Sequence, residues 1–337
     1  MTAKIRRSLV ASVAALSMAL TACSSAEEST SGSSDTSAAS SSETTEITLE
    51  DNFGEKKIAT PVTAPAVTDN RAFEILANWD VKIAAAPLKL VPSTVRDVYN
   101  KDTVAADLGS HREPDLEALV AAEPDVIWNG QRFEQYQEDI EKLVEDVPVV
   151  DFEPRDDKDF FEELKRHTKA LGQTFGHEED AAKLIKDFDA AAKRAKEAYD
   201  PSKKVMAVNT SGGEIGYIAP KIGRTYGPVF DLIGMTPALE VPEGTDDHEG
   251  DDISVEAIAE SNPDWILVMD RDAAISKEGK EHVPGDKLVN ENAALKNVTA
   301  VKEGNVYVAP ADTYVNESII TYTEILNALA DAFEKQS

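Results

Sequence analysis

Short apolar runs alternate with amphipathic stretches along most of the chain. Ala66 to Asp69, Lys82 to Ala86, Val126 to Asn129 and Val149 to Phe152 read as buried strands, and helical stretches such as Phe133 to Glu145 separate them. That alternation predicts a parallel sheet covered by helices. Lys204 to Thr210, Gly216 to Ala219, Trp265 to Asp270 and Asn305 to Ala309 repeat the scheme further along, and a closing helix is predicted over Glu317 to Glu334. Between the two sets, Asp157 to Thr174 and His177 to Tyr199 place apolar residues at helical spacing with no internal proline. The second of these stretches, roughly 35 Å long as a helix, predicts a stiff bridge between two lobes.

An internal repeat supports two lobes. Glu117 to Arg132 reads EALVAAEPDVIWNGQR and Glu256 to Arg271 reads EAIAESNPDWILVMDR, so Glu117 matches Glu256, Pro124-Asp125 matches Pro263-Asp264, and Arg132 matches Arg271. Each copy predicts a short helix, a Pro-Asp stop, a buried strand, and an Arg just past the strand's carboxyl end. Open α/β sheets bind ligands at that end. Two lobes that each aim an Arg at a shared cleft imply an anion clamp. The Gly212-Gly213-x-x-Gly216 run is read as a hairpin turn and not a phosphate cradle, because it precedes a strand where a cradle would open a helix.

The start of the chain changes the picture from a free protein to an anchored one. Lys4, Arg6 and Arg7 precede an apolar stretch, Leu9 to Leu20, which is short for a membrane span, and Leu20-Thr21-Ala22-Cys23 forms a lipobox around the only cysteine. Residues 1–22 are therefore expected to be removed and Cys23 lipidated, which places the protein on the extracytoplasmic face of the cell membrane. From Ser24 to Glu46 the chain is almost all Ser, Thr, Ala and Glu, a composition too poor in apolar side chains to fold. This tether would reach roughly 25 Å. The predicted organisation is thus a signal peptide over 1–22, a lipidated tether over 23–46, a first lobe over 47–176, a bridging helix over 177–200 and a second lobe over 201–337.

Loss of the signal peptide, with three basic and no acidic residues, takes the formal net charge from −29 to −32. Such a surface repels nucleic acid. No G-x-S-x-G or H-E-x-x-H motif occurs, and no thiol remains once Cys23 is modified, so an enzyme is not expected. His111, His167, His177, His248 and His282 are dispersed, which argues against capture of a bare zinc or manganese ion.

The lipobox, the tether, VTDNRAFEILANWDVKIAAAP, LGSHREPDLEALVAAEPDVIWNGQR, FFEELKRHTKALGQTFGHEEDAAKLI and DISVEAIAESNPDWILVMDRDAAI together resemble the class III substrate-binding lipoproteins of iron-siderophore ABC importers, in particular the binders of catecholate siderophores. The resemblance spans nearly all of the chain beyond the tether. It implies an α/β fold of two Rossmann-like lobes with central sheets joined by one long backbone helix. It also implies a monomer with no intrinsic cofactor, whose ligand is a ferric siderophore and whose partners are an ABC permease and its ATPase. Haem or cobalamin is the alternative ligand on the same fold.

Carried over residue by residue, the resemblance puts Arg132, Arg224, Arg271, His248 and Tyr314 in the cleft, with Arg112 beside His111 as a further ligand contact. His248 and Tyr314 would reach iron only where the siderophore leaves coordination positions open. Glu117 and Glu256 would dock to the permease. Chemically, a ferric tris-catecholate carries about three negative charges on flat, oxygen-rich arms, which three planar guanidinium forks would balance. The acidic loop GTDDHEGDD around His248 is expected to raise that imidazole's pKa.

Overall fold

The computed structural model describes residues 44–241, 244–275 and 282–336. The expected signal peptide, Cys23 and most of the tether lie outside the described residues.

A hairpin of β1 (Thr45–Glu50) and β2 (Glu55–Thr60) leads into the first half of the fold. Its elements are β3 (Pro65–Val67), α1 (Phe73–Asn78), β4 (Ala85–Ala86), β5 (Ala106–Asp107), a small β6–β7 hairpin (Gly109–Ser110 and Glu113–Pro114), α2 (Leu116–Ala121), β8 (Val126–Asn129), α3 (Gln137–Leu143) and β9 (Val149–Asp151). Two long helices follow, α4 (Phe160–Phe175) and α5 (Glu178–Ala198). The second half comprises β10 (Lys204–Ser211), β11 (Glu214–Tyr217), α6 (Gly227–Ile233), β12 (Thr236–Pro237), α7 (Val255–Ser261), β13 (Trp265–Asp270), α8 (Arg271–Ile275), α9 (Gly285–Asn290), α10 (Thr299–Glu303), β14 (Val306–Val308), α11 (Thr313–Asn316) and α12 (Ile319–Glu334).

The first sheet has the order β5-β4-β3-β8-β9, all parallel, with Ala66 beside Ile127 and Ile127 beside Val149. The second has the order β11-β10-β13-β14; β12 and the antiparallel β11 share the outer edge of β10. In both sheets the chain adds strands first to one side of its opening strand and then to the other. The crevice at that reversal lies between β3 and β8 in the first sheet and between β10 and β13 in the second.

The repeated Pro-Asp does more than stop a helix. Asp125 Oδ2 accepts from the Ala64 amide at 3.0 Å, and Asp264 Oδ2 accepts from the Lys204 amide at 2.8 Å. Each carboxylate thus pins the start of the neighbouring strand. The helices before them share a cap as well: Asp115 accepts from the Ala118 amide and Ser254 from the Ala257 amide.

One hydrophobic cluster runs through both halves, joining Trp128 and Val150 of the first sheet to Leu164, Phe188 and Leu326 of the long helices and to Leu267 of the second sheet. Helix α5 lies along α12 and also packs on α4 and α6. Its turn from α4 is tight, because a Cβ on Gly172 would stand 2.6 Å from the Ala181 methyl.

Several boundaries shift from the sequence expectations for local reasons. The Gly212-Gly213 turn, with φ of 62° and 86°, pairs Ser211 with Glu214 and so starts β11 two residues before Gly216. The stretch from Phe133 divides into a 3-10 turn over Gln131–Tyr136 and then α3. Strand β4 shrinks to two residues, and α12 begins only after its Ser318 cap, which leaves Glu317 outside the helix.

Candidate functional site

Both repeated Arg residues emerge at the crevices. Arg132 follows β8 through Gly130 and Gln131; a Cβ on Gly130 would sit 3.0 Å from the Asp69 carboxyl carbon, so the loop can approach β3 only with glycine there. The Gln131 amide donates to Glu153 Oε2 at 2.8 Å, which fixes the turn. On the other side Asp270, at the end of β13, accepts from the Ala273 amide and caps α8, while Arg271 Nη1 donates to Ser211 Oγ at 2.8 Å across the β10–β13 crevice.

The two meet Arg224 around a single ring. The guanidinium carbons of Arg132, Arg224 and Arg271 lie 5.2, 4.5 and 5.2 Å from the centroid of Tyr314, a 5 % exposed side chain on α11. Three cations over one phenol ring are favourable toward the ring and unfavourable toward each other. Burial, and then the charge of Arg224, lower the Arg132 pKa. Burial alone would raise the Tyr314 phenol, but Arg271, Arg224 and Arg132 overcome it and the net shift is downward. Arg132 Nη1 and Arg271 Nε are buried with no hydrogen-bond partner.

His248 joins the cluster from its loop, 6.3 Å from Tyr314 between ring centroids and edge-on, with Nδ1 3.1 Å from Arg224 Nη1. Its pKa corrects the expectation of a raised value. Partial burial and the charges of Arg224 and Arg132 lower it, and Asp247 only opposes them. The charge of its acidic neighbour Asp247 is outweighed by burial and by the cations that the fold brings to the ring. His111 also looks toward Arg132 and has its pKa lowered by burial and that charge; its neighbour Arg112 is exposed and is not among the side chains over Tyr314.

Two charged residues of the site went unforeseen. Glu317, 4 % exposed, accepts from Arg224 Nη2 at 2.7 Å and Nε at 3.3 Å and from Thr225 Oγ1 at 2.6 Å. Arg71, 6 % exposed in the loop after β3, pairs with Glu153 Oε2 at 2.7 Å. A cavity of about 1090 Å³ opens between the two halves, with Arg71, Gln131 and Glu153 on one wall and Arg224, His248 and Glu317 on the other. A smaller cavity of about 760 Å³ lies within the second half among Glu214, Asp247, Glu249 and Asp251, and its acidic lining makes it no anion site. Among the described residues, no three of His, Cys, Asp and Glu converge as a metal cage would require.

Glu117 and Glu256 occupy the second position of α2 and α7 and are both exposed. As acids in a first turn they also complement the helix dipole. Among the described residues no helix is long and apolar enough to cross a membrane.

Residues 66–313 match the family model described as periplasmic binding protein. The petrobactin-binding protein YclQ of Bacillus subtilis is 27% identical over 256 residues, covering 75% of this chain and 76% of that one. Its crystal structure superposes with a TM-score of 0.73 over 86% of this chain and 99% of that chain. The ferric-anguibactin-binding protein FatB of Vibrio anguillarum is 28% identical over 292 residues, 84% and 85% of the two chains. The structure of the catecholate-siderophore binding protein VctP of Vibrio cholerae, 22% identical, covers 87% of this chain and 100% of that chain with a TM-score of 0.72.

Proposed function

The chain belongs to the periplasmic binding protein family, and on that premise we propose that it captures a ferric siderophore of the catecholate type in the cleft between its lobes and delivers it to an ABC permease. The observation that carries this reading is the convergence of Arg132, Arg224 and Arg271 on Tyr314, with buried N–H groups of Arg132 and Arg271 left unpartnered. Buried donors without acceptors are costly unless a ligand supplies the acceptors. Catecholate oxygens fit them, and the flat rings stack on guanidinium planes. The iron is cargo. His248 and Tyr314 are its protein ligands only where the siderophore leaves two positions open, and Arg112 is an outer contact at the cleft margin.

Relatives named for petrobactin and ferric anguibactin support this substrate class. Haem and cobalamin have no such support among these relatives. The test is a panel: purified protein titrated with a ferric catecholate, a ferric hydroxamate, haemin and cobalamin, followed by quenching of Trp79, Trp128 and Trp265. Binding of haemin or cobalamin in preference to both ferric complexes overturns the reading.

The rest of the assignment follows the same logic. Residues 47–176 and 201–337 are the two lobes and 177–200 the bridge; α5 supports this by packing on helices of both halves. Cys23 carries a lipid that holds the monomer to the extracytoplasmic face of the membrane, and the tether, expected to run to Glu46, gives way to β1 already at Thr45. Cys23→Ala should release the protein from the membrane fraction, and retention at the wild-type level counts against the anchor. Glu117 and Glu256 face the permease.

A further inference from the structure

Three guanidinium groups do not amount to three free positive charges in this cleft. Arg224 spends its donors on the protein: Nε and Nη2 on Glu317, Nη2 also on the Tyr314 carbonyl at 3.1 Å, and Nη1 against His248. Arg132 and Arg271, by contrast, keep buried donors without acceptors. Arg71 is charge-paired with Glu153, although its Nε is likewise buried without an acceptor. Two further acids lie near the cluster: Asp69 is buried against His167 Nε2 at 2.8 Å, and Glu249, 3.5 Å from Arg271, is 68% exposed and contributes little. Outside the Asp69–His167 pair, the four guanidinium groups of Arg71, Arg132, Arg224 and Arg271 and the two carboxylates of Glu153 and Glu317 leave the cleft with a net charge of about +2.

Resting on the siderophore reading, we infer that Glu317 is a specificity-determining residue that sets the ligand charge, so that the preferred cargo is a ferric complex of net charge near −2 and not the −3 of a tris-catecholate. A ligand with two catechol arms and one singly charged arm, such as a hydroxamate, has that charge. Glu317 acts through Arg224, whose Nε and Nη2 it holds. Its carboxylate is held for this role by the backbone: Glu317 and its partner Thr225 have φ of 35° and 64°, a region that side-chain-bearing residues rarely occupy and that is retained where the surroundings over-determine it. The Arg71 charge adds to that of Arg224 in keeping Glu317 ionised despite its burial.

The consequence is a preference that changes sign with one charge. In wild type, the ferric complex of a synthetic hexadentate ligand with two catechol arms and one hydroxamate arm should bind more tightly than the complex with three catechol arms. In Glu317→Gln the net charge rises by one, and the ratio of the two affinities should move toward the tris-catecholate by on the order of tenfold. Glu317→Asp, which retains the charge, should restore the wild-type preference. A structural role in holding Arg224 would weaken both complexes together and leave the ratio alone.

The experiment is a fluorescence titration of both complexes, and of the uncharged tris-hydroxamate, on each variant at one ionic strength, with thermal melts to establish folding. A Gln variant whose ratio stays within twofold of wild type overturns the inference. So does a wild type that prefers the tris-catecholate by more than tenfold, a measurement that needs no variant. If wild type binds none of the ferric complexes, the siderophore reading itself fails and the inference falls with it.

Discussion

Arg132 and Arg271, which occupy the same place in the two copies of the internal repeat, stand at the same distance from the centre of the Tyr314 ring, 5.2 Å. They arrive there from different sheets, each through the crevice where its sheet reverses strand order. Equivalent sequence positions have become opposing jaws.

If those jaws hold catecholate oxygens, truncation of either should leave ligand charge uncompensated. Arg132→Ala and Arg271→Ala should each weaken a ferric catecholate by about 2 to 4 kcal/mol, roughly 30- to 1000-fold, and the double variant should bind barely at all. Arg224→Ala should differ in kind. It strands the buried Glu317 carboxylate, so its melting temperature should fall along with affinity, whereas the other two variants should melt close to wild type. Affinities within twofold of wild type for all three would remove these residues from the site.

The reach of the sequence reading follows from what each feature depends on. Arg132, Arg271, the capped helices and the Pro-Asp turns were legible because the signal is local and occurs twice. Arg224 and Tyr314 came from the resemblance, and the fold brings them to the same ring. The sequence reading starts the closing helix at Glu317, yet the Ser318 cap excludes that residue, and its pairing with Arg224 is long-range. Arg71 was hidden likewise, since its partner Glu153 follows another strand. His248 shows the limit most directly: its sequence neighbours are acids, but the groups that lower its pKa are Arg224 and Arg132, brought from elsewhere.

The Tyr314 phenol separates two roles. Its ring supports three guanidinium groups, each interaction being of the order of 0.5 to 2 kcal/mol, and its oxygen is the atom proposed to reach iron if the siderophore is tetradentate. Tyr314→Phe keeps the ring, so a hexadentate ferric catecholate should bind it within a few-fold of wild type. A tetradentate one should lose affinity and change its visible charge-transfer spectrum. An identical spectrum with wild type and Tyr314→Phe would show that the phenolate is not an iron ligand.

Asp151 gives a prediction about stability and pH. Its side chain is fully buried at the end of β9, Oδ1 accepts from Asn52 and from the Glu153 amide, and Oδ2 has no partner. Burial, with the nearby charges of Glu153, Asp69 and Glu134, pushes its pKa from 3.8 up to about 7. The folded state therefore keeps a proton that the unfolded chain gives up. The resulting contribution to stability is full below pH 3.8 and is lost as pH rises through about 7. Asp151→Asn places a permanent donor where Oδ2 stands. It should stabilise the protein by a few kcal/mol at pH 8 and by clearly less at pH 5, an increment bounded by about 1.4 kcal/mol per pKa unit. Urea melts at the two pH values decide it; an equal effect at both would mean that Asp151 is an ordinary carboxylate.

Glu117 and Glu256 test the delivery step separately from capture. They share a helix position, are exposed, and lie on the two repeated units, so a permease with two basic pockets could engage both lobes at once. Each contact alone would be a weak surface ion pair, but two on one rigid body act together through effective concentration. The double variant Glu117→Ala/Glu256→Ala should bind a ferric catecholate with wild-type affinity in the quenching titration, while uptake of iron-55 by cells carrying only that variant falls at least several-fold, and either single variant should show a much smaller loss. Uptake at the wild-type rate by the double variant would place the docking surface elsewhere, and a parallel loss of ligand affinity would mean that these glutamates shape the lobes and do not meet a partner.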